Sequence, residues 1–176
     1  KTATAVYTIT PLKISKDNVK PSLVTTSLGY TGAVQSFGKS DVKLEVEVNA
    51  DTQKKVDITE ALKPEFSVKG TDKAVGTGYS VKSDAWMNFA DTDAAQKILK
   101  NFDTTGTLGE VKTENTYAIV KRNLSECTGK ITKEYSISDF KGKPTASINP
   151  VDVKLTGKDG KSFTLDSLGN NVVIQV

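Results

Sequence analysis

Between Asp41 and Ala50 the chain alternates without a break: Val42, Leu44, Val46 and Val48 fall on one side, and Lys43, Glu45, Glu47 and Asn49 on the other. A strand sends successive side chains to opposite faces, so this run has one apolar face and one charged face. A helix would scatter the four aliphatics around its circumference and bury charge with them. The stretch predicts a half-buried strand of an antiparallel sheet.

The same two-residue period recurs along the chain. At the N terminus Ala3, Ala5, Tyr7 and Ile9 alternate with Thr2, Thr4, Val6, Thr8 and Thr10, which predicts a strand of small and β-branched residues. Pro11 interrupts it, and Asp17-Asn18 with Pro21 predict a turn-rich connection over Ser15 to Pro21 that can act as a hinge. Leu23 to Phe37, broken by Gly29 and Gly32, reads as two short strands. Asp57 followed by Glu60 matches a capping box, but Pro64 limits what it starts to one short helical turn. Phe66 and Val68 resume the strand pattern, and Trp86 is expected to be a core anchor whose indole N–H needs an acceptor.

One helix stands out. Ala94, Ala95, Ile98, Leu99 and Phe102 recur at three- and four-residue spacing after a cap at Asp93, with Gln96 completing a box-like pair, and the pattern ends near Asp103. Strand-like runs follow at Tyr117 to Val120, around Ile131 to Ile137, and at Val151, Val153 and Leu155. Turns at Gly157 to Gly160 and Asn170-Asn171 give the tail the form of a β-meander. Roughly eight to ten short strands with one short helix in a crossover predict an all-β fold, an antiparallel β-sandwich of immunoglobulin-like or jelly-roll type. No break in composition argues for more than one domain over residues 1–176.

Composition narrows the chemistry. There is no histidine, which removes the commonest general base, the usual partner of a nucleophilic Ser or Cys, and the commonest transition-metal ligand. Cys127 is the only cysteine, so neither an intrachain disulfide nor a cysteine-rich zinc site is available. The net charge is +3, yet Arg122 is the only arginine among 24 basic residues. Readers of phosphate and base edges lean on the guanidinium fork, so no nucleic-acid partner is expected. No run approaches the about 18 apolar residues of a membrane span. The start at Lys1 rather than methionine leads us to expect cleavage from a longer precursor, and with it a secreted, extracellular or cell-surface location.

The motifs that remain are weak. Gly38-Lys39-Ser40 and Gly160-Lys161-Ser162 lack the first glycine of a phosphate loop, having Ala33 and Leu155 in its place, and both lead into strands. Asp91 and Asp93 are the calcium candidates, but two acids without EF-hand spacing at a helix start read first as capping residues. Glu45 and Glu47 share a strand face as a solvated pair rather than a glycosidase couple. Asn123-Leu124-Ser125 is a sequon for N-glycosylation.

No enzyme activity, metal or cofactor is therefore expected. The leading expectation is a structural, self-assembling extracellular subunit, such as a filament, pilus-like or surface-layer protein, whose partners are copies of itself. Residues 1–10 would be donated as a strand to a neighbour, with Ala3, Ala5, Tyr7 and Ile9 at the interface. The competing expectations are an immunoglobulin-like adhesin or carbohydrate-binding module, which would take a glycan or host-surface ligand, and a viral coat or tail-tube subunit. In its strand grammar the chain resembles secreted immunoglobulin-like fibre subunits, though no diagnostic motif carries the likeness.

Overall fold

The fold, a computed structural model, is described for residues 4–134 and 148–168. It is mostly strands, arranged in several small sheets, with one short α-helix. The first strands in chain order are β1 (Leu12–Lys13), β2 (Val19–Leu23), β3 (Ser27–Gly29), β4 (Ser36–Gly38), β5 (Val42–Asn49) and β6 (Lys54–Asp57). Next come β7 (Ser67–Lys69), β8 (Gly76–Tyr79) and β9 (Lys82–Ser83), then the helix α1 (Asp93–Leu99) and β10 (Phe102–Asp103). The remainder are β11 (Val111–Lys112), β12 (Tyr117–Val120), β13 (Thr128–Ile131), β14 (Val153–Thr156) and β15 (Ser162–Thr164).

The chain divides into two compact units, each assembled from separated stretches. The first takes residues 1–25, 36–70 and 80–116, and the second takes 26–35, 71–79 and 117–176.

The first unit is organised on β5, the run that alternates most regularly. Val42, Leu44 and Val46 are buried while Lys43 is exposed, as a strand with one apolar face requires. β5 sits between β2 and β6, antiparallel to both, with Leu44 opposite Pro21 and Val46 opposite Val19 and Val56. Pro21 has no N–H to give, and it lies on an outer strand with its carbonyl accepting from the Glu114 N–H at 2.7 Å. On the wet face Lys43 and Glu45 meet at 2.6 Å, and the carboxylate raises the pKa of the ammonium above its ordinary value.

Trp86 is fully buried, and its indole N–H donates to the Val111 carbonyl at 3.2 Å. Its ring lies 5.6 Å from that of Phe66, also buried, one residue before β7, which pairs with β4 so that Val68 faces Phe37. These aromatics anchor the core of the first unit as the sequence predicts.

Three expectations are corrected here. Residues 4–10 take part in no ladder among the described residues and are exposed throughout, so the strand predicted there is not formed among the described residues. The helix α1 stops at Leu99 rather than near Asp103, and its cap is Thr92, whose side chain accepts from the Ala95 N–H at 3.2 Å. Its end is set by tertiary pairing: Leu12 and Ile14 donate to the carbonyls of Asn101 and Asp103, which draws Phe102 into β10, parallel to β1. The capping box at Asp57 also fails to form. Asp57 accepts instead from the N–H and hydroxyl of Thr59, and Glu60 pairs with Lys39 at 3.0 Å.

Among the described residues the second unit has two three-stranded sheets, β3–β12–β8 and the meander β13–β14–β15. β12 is parallel to β3 and antiparallel to β8. A small cluster of Ile148, Val153 and Leu165 forms an apolar centre beside the meander. Val151, expected in a strand, lies in a 3-10 turn (Pro150–Asp152) and is exposed, because Asn149 caps that turn before β14 begins. The predicted turn at Asn170-Asn171, the strand beyond it, and Tyr135 and Ile137 fall outside the described residues.

Truncation of the central side chains tests this assignment. Trp86→Ala should cost about 3–5 kcal/mol and Leu44→Ala about 2–5 kcal/mol, read from urea unfolding midpoints. A midpoint that hardly moves would place that side chain outside the core.

Candidate functional site

The residues predicted at a subunit interface lie on the arm before β1. Ala5, Tyr7 and Ile9 are exposed, Tyr7 and Ile9 at 82% each and the intervening Val6 at 93%. Ala3 lies outside the described residues. From Thr2 to Leu12 no side chain carries charge. The arm is therefore an uncharged stretch with two large apolar side chains, Tyr7 and Ile9, on its alternating row and no cover.

The predicted hinge is corrected. Asn18 closes a turn on Ser15, its side chain accepting from the Ser15 N–H at 2.8 Å and donating to the Lys13 carbonyl at 3.0 Å. Val19 to Leu23 is then locked to β5, so the stretch from Ser15 to Pro21 is not a pivot. The arm leaves the fold at Pro11, one residue before the ladder begins.

At that root the first unit has an apolar groove of about 310 Å³. Its walls are Leu12 of β1, Val48 of β5, Val56 of β6, Ile98 of α1, and Asn101 with Phe102 of β10. Each wall has a local cause. A register shift between Glu47 and Asn49 ends the regular pairing of β5, and Val48 is only half-buried. The Ala90 N–H donates to the Ala61 carbonyl at 2.8 Å and Ala95 is buried, which seats α1 and leaves Ile98 partly exposed. A smaller recess of about 160 Å³, lined by Ile9, Thr10, Pro11, Lys100 and Asn101, meets the groove at Asn101.

The second unit holds the one arginine in a site that composition does not reveal. Arg122 donates from Nε to the Tyr30 carbonyl at 3.0 Å and from Nη2 to the Gly29 carbonyl at 3.0 Å. It also grips both oxygens of Asp159 through Nη1 and Nη2, at 3.0 and 2.8 Å, while its guanidinium carbon lies 5.1 Å from the centroid of the Phe163 ring. A Cβ at Gly29 or Gly157 would collide with the guanidinium, so both glycines make room for it. The side chain is 9% exposed. The hydrogen bond from Arg122 holds the Asp159 carboxyl below the usual carboxylate range, and Asp159 in turn raises the arginine. With its fork occupied by this chain's own acceptors, the group works as a clamp joining β3, β12 and the β14–β15 turn.

The remaining candidates lie apart from one another. Asn123 is exposed at the head of a 3-10 turn (Leu124–Glu126), its side chain accepting from the Ser125 N–H and hydroxyl. Cys127, half-buried, points its sulfur at the Asn123 carbonyl at 3.7 Å. Asp91 accepts from the Gln96 side chain at 3.0 Å, and Asp93 is the first residue of α1. Among the described residues no three acidic, cysteine or histidine side chains converge as metal ligands would. Nor is any helix among them long and apolar enough to cross a membrane.

The chain matches no family model, no curated protein and no solved structure. Its function rests on the geometry described above.

The clamp gives a pH-dependent expectation. Because the folded pKa of Asp159 is depressed, its stabilisation is fully present above the unfolded carboxylate value of about 3.9 and is lost as pH falls through the folded value. Asp159→Asn should therefore be less stable than the parent chain at neutral pH, with a gap that closes on acidification. Arg122→Ala should cost about 2–3 kcal/mol, since hydrogen bonds to charged groups are lost together. Urea titrations at pH 7 and pH 3 measure both, and a gap of equal size at the two pH values would refute the assignment.

Proposed function

We propose that the protein is a structural subunit that assembles with copies of itself outside the cell, as a filament, pilus-like or surface-layer component. What carries the reading is the arm. An uncharged stretch that exposes Val6, Tyr7 and Ile9 has no role in its own fold, and apolar surface of this kind is usually covered in a working assembly. A strand donated to a neighbour covers it, and a head-to-tail contact of that kind propagates when its rotation does not close.

The rest of the chemistry agrees with a passive role. The arginine fork is used internally, there is no histidine, and the polar groups of the predicted sites engage their own turns. We further propose that the sheets of the first unit form a sandwich of immunoglobulin-like or jelly-roll type. The support is the one-faced burial of β5 together with the buried Phe37 and Val68 of the β4–β7 pair.

Negative-stain microscopy and sedimentation test the reading. The purified chain should form ordered polymers, and deletion of residues 1–10 should leave a folded monomer. A chain that stays monomeric at high concentration, or polymers unchanged by the deletion, would overturn it.

A further inference from the structure

We propose that residues 4–10 are a strap that closes over the groove of their own chain, bringing Tyr7 and Ile9 against Val48, Val56 and Ile98. The structure shows the strap open, with Tyr7 and Ile9 each 82% exposed. The closure stands on its own geometry; its role in withholding the arm from a neighbour rests on the assembly reading above.

The arm already lies against the fold at its root. Ile9, Thr10 and Pro11 line the recess together with Lys100 and Asn101, and Asn101 is also a wall of the groove. Ile98, the next wall, stands three residues before Asn101 on α1. Leu12, where the arm ends, is a wall as well, held by its N–H on the Asn101 carbonyl at 3.0 Å. Recess, groove and the tether of the arm therefore meet at one place.

Tethering favours this arm over any other. Tyr7 is five residues from Leu12, at most about 17 Å of extended chain, so it never leaves the neighbourhood of the groove. A short flexible tether gives an effective concentration on the order of a millimolar. The arm of a second copy competes only where subunits reach a similar concentration.

The chemistry suits closure. From Thr2 to Leu12 no side chain is charged, and apart from Asn101 the groove walls are aliphatic or aromatic. Closing buries apolar surface on both sides and strips water from no ion. Residues 4–10 contain no proline and are free to bend, while Pro11 fixes only the root. The strap buries the same side chains that assembly buries in a neighbour, so the two exclude each other. Dilute subunits are kept apart, and the strap yields as their concentration approaches that set by the tether.

Disulfide trapping in the full chain tests the strap, with Cys127→Ser in every background. Tyr7→Cys is combined with Val48→Cys or Val56→Cys, and each double variant is mildly oxidised at submicromolar concentration. The expected product is a covalently closed monomer, which runs ahead of the reduced chain on a non-reducing gel. Thr8→Cys, on the other side of the strand period, is the control for random collision and should close several-fold more slowly with the same partners. Equal closure from positions 7 and 8, or no closed monomer from Tyr7→Cys, would overturn the proposal. Polymers formed by the reduced double variants but not by the oxidised ones would bear out the withholding role. Polymers without any closed monomer would sink the strap and leave the assembly reading intact. Closed monomers whose reduced form never polymerises would support the strap and overturn that reading.

Discussion

Everything in the first unit depends on the two-sided character of β5. Val42, Leu44 and Val46 must leave water while Lys43 and Glu45, one residue away in each case, must keep contact with it. Only an extended backbone separates neighbours in that way, and an extended backbone leaves its N–H and C=O groups to be met by flanking strands. β2 and β6 meet them, and each brings an aliphatic residue opposite those of β5. A buried edge that remained unpaired would cost about as much as several lost hydrogen bonds, so pairing and burial stand or fall together.

The second unit adds a polar device to its buried side chains. Beside the buried Leu28, Tyr117 and Ile119, one guanidinium reaches two backbone carbonyls, a carboxylate and an aromatic face. A lysine offers a point charge in place of that planar fork and could not satisfy these acceptors together. The single arginine in a lysine-rich chain therefore reflects a geometric demand inside the fold rather than a surface property.

These differences explain what was legible in the sequence. Strict alternation identified β5, and the need of a buried indole for an acceptor anticipated the Trp86 contact, because both follow from local rules with few competing outcomes. The end of α1 was hidden because Phe102 fits the helical period equally well, and only pairing with Leu12, about ninety residues away in sequence, recruits it to β10. The arm reads as a strand for the sound reason that it has strand composition, yet a strand forms only where a partner edge exists. The Arg122 clamp joins segments far apart in sequence, and its one visible signal was its rarity. The groove at the root of the arm was equally hidden, since its walls come from five separated elements.

The energetics of the arm bear on how such an assembly would behave. Burying Val6, Tyr7 and Ile9 stabilises a contact by about 2 kcal/mol each. Ordering eight backbone residues costs about 1–2 kcal/mol apiece, so side-chain burial alone does not hold a donated arm in place. Backbone pairing adds about 1 kcal/mol per hydrogen bond, so a donated arm would need a partner edge as well as an apolar surface. The sum stays close to balance for a single contact. The described residues of the arm, 4–10, are all exposed, so the core of the first unit is packed without them.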